Sequence, residues 1–328
     1  NHKNQEIRGA MTATLTEPAP SGPPPQKQKW KLSVPAAIIA VLGLLGACVW
    51  TYPMMAAWIT QLDQSEVIQN ATTTEDPNAP HNAKQLKLAE EYNAKLEAGG
   101  ASVQANERIP QWQGDDGITD LNYNEILTSP KTDVMSRIQI PKIDLDLPIY
   151  HGTSDETLLR GIGHLEGTAL PVGGVGNNSV VTGHRGLAEA EMFTNLNKID
   201  KGDYFTFNTF GRIITYKVIE TKIVDPDQTE TLDAIPGKDL ATLVTCTPLG
   251  INTQRILVIG ERVIPTPPDA LEDAQNPPDI PGFPWWAVIM GGAAVAAGGY
   301  IWFAGRPVKP RKGPTDTDAE PDFAGPKH

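Results

Sequence analysis

Two uninterrupted apolar stretches, with a long run of short apolar and polar alternations between them, set the plan of this chain. Val34 to Ile59 carries no charged residue and Trp285 to Ala304 is a second such stretch; a helix needs about 20 apolar residues to cross a bilayer. Between them, Asn82 to Ala98 places Leu86, Ala89, Tyr92 and Leu96 at helical spacing, with charged residues on the other face and Gly99-Gly100 as the stop. That pattern predicts an amphipathic helix docked on the domain C-terminal to it. Leu121 to Leu127 predicts a second, short helix. From Val134 the texture changes to β-rich runs: Ser136 to Ile140, Leu147 to Tyr150, Ser179 to Thr182, Tyr204 to Phe207, Arg212 to Thr221, Ala241 to Thr245 and Arg255 to Arg262. Gly, Pro, Asn and Asp clusters separate them, and one helical stretch, Leu187 to Leu196, interrupts them. Many short strands with so little helix predict a mainly β domain, a closed or nearly closed barrel.

The flanks of the apolar stretches differ in charge. Lys27, Lys29 and Lys31 precede the first and Arg306, Lys309, Arg311 and Lys312 follow the second, whereas the facing flanks carry Asp63, Glu66, Asp269, Glu272, Asp273 and Asp279. The positive-inside rule then puts both termini in the cytoplasm and Leu62 to Phe283 outside, a two-pass protein of the cell membrane. Three other readings lose. A lipoprotein-like box, Leu45-Gly46-Ala47-Cys48, is followed by more apolar chain rather than by a polar turn. No Leu-Pro-x-Thr-Gly precedes the second span, which therefore is not a cell-wall sorting signal, and both spans are long for buried core helices. The expected plan is a cytoplasmic tail (1–33), a span (34–59), juxtamembrane helices with a loop (60–133), a barrel (134–264), a Pro-rich linker (265–284), a second span (285–304) and a second tail (305–328).

Composition narrows the chemistry. The formal net charge of -12 argues against nucleic acid as a partner. There are two cysteines, Cys48 within the first span and Cys246 outside. Cys246 therefore has no intrachain disulfide partner in its compartment, and a lone thiol in oxidising surroundings is a liability unless it has a use. The separations of His151, His164 and His184 fit no zinc pattern, so neither a metal nor a cofactor is expected.

The stretch Ala241 to Arg262 reads as two apolar strands joined by a loop with Pro248 and Gly250. Cys246 ends the first strand and Arg255 opens the second. Neighbouring strands bring that thiol and guanidinium to one end of a sheet. A thiol of ordinary pKa, about 8.5, needs nearby positive charge to become a nucleophile. Arg255 either supplies part of that field or binds an oxyanion; the bland alternative is a buried Cys and a surface Arg. His184 sits in a glycine-flanked turn, Gly183-His184-Arg185-Gly186, directly after a strand, where a side chain is presented rather than buried. The loop Ala101 to Asp120 is long enough to need a job, and Trp112 is its one large apolar residue. Its acidic residues, among them Asp115 and Asp116, match no calcium loop and read as a solvated turn.

VTGHRGL (Val181 to Leu187) together with TLVTCTPLGINTQR (Thr242 to Arg255) resembles the sortases, membrane-bound cysteine transpeptidases of Gram-positive bacteria. IPKIDLDLPIYHGT (Ile140 to Thr153), GIGHLEGTALPVGG (Gly161 to Gly174), the helix with Tyr92-Asn93 and the second span are similar to the class C, pilin-polymerising branch. The resemblance covers nearly everything from Tyr92 to Ile264. It implies an eight-stranded sortase-type β-barrel with N-terminal helices and a lid loop, flanked by two transmembrane helices. It further implies Cys246 as nucleophile, His184 as acid/base and Arg255 as stabiliser of the reacting carbonyl, with Thr182, Thr245 and Thr247 as substrate-site neighbours. Class C lids carry an Asp-Pro-aromatic motif; here the loop reads ERIPQWQGDDGITD without it, and Asp76-Pro77 is followed by Asn78. Trp112, with Asp115 and Asp116, is the lid candidate instead.

The implied reaction is acyl transfer. Cys246 attacks the Thr-Gly carbonyl of a Leu-Pro-x-Thr-Gly-like signal on a pilin or surface protein, and a pilin lysine replaces the leaving amine to give an isopeptide bond. The alternatives are a housekeeping sortase with a cell-wall precursor as amine, a mainly hydrolytic enzyme, and a catalytically silent membrane-tethered binding protein on the same barrel.

Overall fold

The computed structural model describes residues 29–72, 76–99, 122–278 and 280–307. The proposed lid residues Trp112, Asp115 and Asp116 lie outside them. The chain divides into two compact units, Asn1–Gly43 with Val295–His328, and Leu44–Ala294. In the first unit the indole of Trp30 donates to Trp302 O at 3.0 Å and Lys31 N donates to Gly305 O at 3.2 Å. The second unit holds everything else.

Helix α1 runs Val34–Thr72 and helix α5 Trp285–Ala304; both are long and apolar enough to cross a membrane. α1 thus continues well past the uncharged stretch. Its outer turns pack: Gln64, Ser65 and Ile68 are buried. Within the same unit the Trp58 indole donates to Gly282 O at 2.7 Å and lies edge-on to Trp286, with centroids 6.2 Å apart.

Helix α2, Pro80–Gly99, buries the face the spacing marks: Leu86, Ala89, Tyr92 and Leu96. Its buried Asn93 bonds both polar groups of one residue, donating to Leu170 O at 3.1 Å and accepting from Leu170 N at 2.7 Å. An amide that satisfies a backbone pair this way substitutes for a strand neighbour. The short helix expected at Leu121 to Leu127 is a 3-10 turn, Tyr123–Glu125, capped by the Asn122 side chain.

Eight strands come next: β1 Ser136–Ile140, β2 Leu145–His151, β3 Ile162–His164, β4 Asn177–Thr182, β5 Tyr204–Thr209, β6 Arg212–Val224, β7 Asp239–Thr247 and β8 Gln254–Arg262. They close into a barrel in the order β1-β2-β3-β4-β7-β8-β6-β5. Pairing is parallel for β2 with β3 and β4 with β7, and antiparallel elsewhere. A parallel pair needs a crossover. The first is the one-and-a-half-turn helix α3, Asp155–Arg160, whose N-terminus is capped by the Ser154 hydroxyl. Strands β4 and β7 are buried almost throughout, on both faces, which is why Val180 to Thr182 and Leu240 to Thr245 read as apolar and β-branched runs. Phe205, Phe207 and Tyr216 fill the interior beneath β8, Phe205 stacked on Tyr216 at 5.4 Å.

Two expectations are corrected. Leu187 to Leu196 is not a helix: Met192 takes φ 40° and the chain doubles back so that Phe193 N donates to His184 O at 3.0 Å. Ala190, Met192, Phe193 and Leu196 are buried, so the apolar positions that mimic a helix instead fill the floor beneath the histidine turn. Part of the Pro-rich stretch expected as linker is ordered, as helix α4, Pro268–Gln275. Buried Arg137 on β1 receives its end, donating to Asn276 O at 2.9 Å while its other nitrogens pair with Asp146.

A buried aromatic and imidazole cluster joins the 3-10 turn to β2 and β3. Nε2 of His164 lies 2.9 Å from Ala169 O, an acceptor, so it carries the proton and Nδ1 accepts from the Tyr123 hydroxyl at 2.9 Å. His151, from β2, bonds Ile126 O at 2.7 Å and meets the Tyr123 ring edge-on. Burial is the main cause that pushes His164 down to about 4 from 6.5. Between those values the unfolded chain takes a proton that the folded chain refuses. Stability is therefore complete above the unfolded value and falls as pH drops through the window, by up to about 1.4 kcal/mol per unit. We expect His164→Gln to unfold at a lower temperature at neutral pH, and to lose less further stability than the parent between about pH 7 and about pH 4.5. Parallel slopes for the two proteins would assign the acid sensitivity to another group, such as His151, which burial also lowers.

Candidate active site

Strands β4 and β7 pair in one unbroken register, from Asn177↔Asp239 to Thr182↔Val244. Two more steps in that register bring His184 level with Cys246. On the other side of β7, Cys246 is the direct partner of Arg255 on β8. Cys246 and Arg255 thus stand level on neighbouring strands, about 4.8 Å apart, and His184 follows the end of β4 by two residues at the same end of the sheet. Residues level with one another on adjacent strands point to the same face, so the thiol and the guanidinium share a face, and the histidine turn lies at the same rim of the barrel. Cys246 is half-buried; Cys48 is exposed on α1, within its apolar part.

The histidine turn is locked to β7 at its start. Gly183 N donates to Val244 O at 3.1 Å, and the Thr182 and Thr245 hydroxyls donate to Val244 O and Gly183 O at 3.2 and 2.8 Å. Both threonines are buried, so their hydroxyls brace the junction of strand and turn. Gly183 is required by space: a Cβ there would meet Ile162 Cδ1 at 2.6 Å and the Phe193 ring at 3.0 Å. Gly186 is required by conformation, with φ +79°. Thr247, also buried, accepts from Arg185 Nη1 at 2.8 Å.

Arg255 is 4% exposed, a rare state for an arginine, and its Nη1 donates to Asn252 O and Gln254 O, both at 3.0 Å. Asn252 adopts φ 60°, a left-handed conformation that asparagine tolerates, and its N donates to Pro248 O at 2.9 Å. The β7–β8 connection thereby curls into a compact turn that holds the guanidinium at the rim. Next to it, β6 ends at Val224, the partner of Arg255, and Gln254 donates to Asp225 at 3.1 Å.

His184 is half-buried, and that desolvation lowers its pKa; the carboxylate of Asp155, on the first turn of α3, pulls the other way. At neutral pH the imidazole is therefore mostly uncharged. Among the described residues no group of His, Cys, Asp or Glu has a geometry able to hold a metal ion. Sequence reasoning missed Arg185 and Asp155. The first was legible as a cation directly after the histidine; the second is brought close by the β2–β3 crossover alone.

A half-buried thiol at the rim of a closed barrel, between a histidine turn and a buried arginine, is the equipment of a cysteine acyl-transfer enzyme. Comparison with known proteins gives the family. Residues 138–263 match the sortase domain. The chain is 32% identical over 149 residues to sortase D of Bacillus subtilis (strain 168), covering 44% of this chain and 72% of that protein. It superposes on sortase C1 of Streptococcus agalactiae with a TM-score of 0.53 and 38% identity, covering 61% of this chain and 97% of the other. A further structure, sortase C1 of GBS pilus island 1, gives 0.52 and 37%, covering 64% and 94%. The chain belongs to the sortase family, the cysteine transpeptidases, and its structural neighbours include class C sortases.

If His184 must be charged when Cys246 is a thiolate, the acid limb of the kcat/KM profile tracks the histidine. Asp155 favours the imidazolium. Asp155→Asn should therefore move that limb to lower pH and lower the plateau, because fewer molecules hold the charged pair. A pH–rate profile superimposable on the parent's would show that solvent screens Asp155 from the imidazole.

Proposed function

We propose that the protein polymerises pilins. Cys246 thiolate attacks the Thr-Gly carbonyl of a Leu-Pro-x-Thr-Gly-like signal, the C–N bond breaks, and the leaving amine takes its proton from His184. A pilin lysine amine then attacks the thioester, gives a proton to His184 and displaces the thiolate, leaving an isopeptide bond. Arg255 faces the oxyanion of both tetrahedral intermediates. The row His184, Cys246, Arg255 carries this reading. The class C neighbours, one of them from a pilus island, support the pilin rather than a cell-wall precursor as amine. The two spans and their basic flanks support an extracellular barrel with both termini cytoplasmic.

The test is incubation of the full-length chain with a Leu-Pro-x-Thr-Gly peptide and a lysine-bearing pilin fragment, with intact mass as the readout. We expect an acyl adduct on Cys246 and a ligated product. Cys246→Ala should abolish both and Cys48→Ala neither; product from the first variant would sink the mechanism.

Arg255→Lys keeps the charge and loses the planar fork. Turnover should fall about 10²- to 10³-fold, as for loss of one oxyanion donor, with the fold retained. Near-parental turnover would make Arg255 a brace of the β7–β8 turn instead.

A further inference from the structure

The ladder that holds β4 to β7 stops short of the histidine. Its last backbone bond is Gly183 N to Val244 O, one residue before His184, and the Thr245 hydroxyl reinforces the same point through Gly183 O. On the far side of His184 a side chain of the turn reaches β7. Arg185 donates from Nη1 to the Thr247 hydroxyl at 2.8 Å and from Nε to Thr194 O at 3.3 Å. Thr194 in turn accepts from Gly186 N at 3.0 Å through its own hydroxyl. The residue after the histidine is thus bonded to the residue after the cysteine.

Direction matters here. Successive residues of a strand point to opposite faces, so Thr247, the last residue of β7, points away from the face that carries the Cys246 sulfur. It is buried on that side, and Arg185 reaches it there. The bond therefore lies behind the reacting groups. Without it the turn keeps its bond to β7 at Gly183 and its bonds to the 193–194 segment, Phe193 N to His184 O and Gly186 N to the Thr194 hydroxyl, but loses its tie to the end of β7, and the imidazole shifts relative to the sulfur.

We propose that Arg185 is a positioning residue: by bonding Thr247 it clamps the histidine turn to β7 and keeps the His184 imidazole in register with the Cys246 thiol. This rests on the reading of that pair as catalytic. The planar fork suits the task, because Nη1 and Nε serve the strand end and the 194 loop at once, which a lysine ammonium at the end of a flexible stem does not reproduce. Misplacement of a proton-transfer group by about 1 Å costs on the order of 10²-fold in rate. The clamp acts on kcat, since it lies on the face of β7 away from the Cys246 sulfur.

The experiment uses the full-length chain in detergent with a Leu-Pro-x-Thr-Gly peptide and a lysine-bearing amine. Arg185→Met and Thr247→Val should each lower kcat by about tenfold or more, with KM for the peptide and the melting temperature nearly unchanged. The double variant should lose no more than the worse single one, because both remove the same bond. Thr247→Ser, which restores the hydroxyl, should recover the parental kcat to within about twofold. Additive losses, a rise in KM at constant kcat, or parental rates in Thr247→Val would each overturn the clamp. Thr247→Val deletes one hydroxyl at nearly constant volume, so it decides the matter even if Arg185→Met fails to fold. Intact mass of the parent separates the two levels of the argument: an acyl adduct on Cys246 with unaffected variants removes the clamp alone, and no adduct on the parent removes the catalytic reading together with it.

Discussion

The parallel pairing of β4 with β7 is the interaction on which the site depends. No local rule joins a histidine turn to a cysteine so far along the chain; only the constant register from Asn177↔Asp239 to Thr182↔Val244 does. A slip of one residue would turn every side chain of β4 to the opposite face. Burial guards against that slip. Val180 and Val181 are both fully buried on opposite sides of the strand, and Asn178 spends its amide on Leu232 O while its oxygen accepts from the Thr242 hydroxyl. Any other register strands those polar groups, at roughly 1–3 kcal/mol each.

Antiparallel pairing of β7 with β8 completes the row, and the two pairings differ in what they demand. Cys246 and Arg255 are joined by a short turn, so their alignment is local and tolerant of changes elsewhere. His184 is aligned through a long crossover, so its position is sensitive to everything packed in that crossover. The buried chain from Ala190 to Leu196 supplies the rigidity, with Phe193 both bonding His184 O and closing against Gly183. Burying a Phe is worth about 1.5–3 kcal/mol, enough to hold a short irregular segment that has no helix or strand of its own.

Most of the barrel is legible in the sequence because strand ends coincide with glycine, proline and asparagine clusters, and Ser136 to Ile140 is read to the residue. β3 is not, because three residues give no alternation to detect. Leu187 to Leu196 misleads for a physical reason: a segment that folds back on itself to cover a floor buries residues at irregular intervals, and a few of those intervals match a helical turn. Cys246 and Arg255 are legible as a pair, since two strands and a turn suffice to join them. That His184 joins them is legible only through family resemblance, because parallel partners are not marked by proximity in sequence. Arg137 shows the same limit: an arginine in a strand reads as surface, whereas here it is buried because Asp146 and two carbonyls of the α4 end meet it.

The charges around the row explain why geometry, rather than a permanently reactive thiol, is what this rim provides. Burial lowers the histidine and Asp155 only partly restores it, so at neutral pH the imidazole is mostly uncharged. An imidazole in that state donates a proton only through the fraction that is charged, and the rate is the product of that fraction and the rate constant of the charged form. The cost is that each productive event requires a proton to pass between two groups whose separation must already be right. A site that relies on rare ionisation cannot also tolerate a loosely held imidazole. This is why the turn is bonded to β7 on both sides of His184 and packed against Phe193 from below.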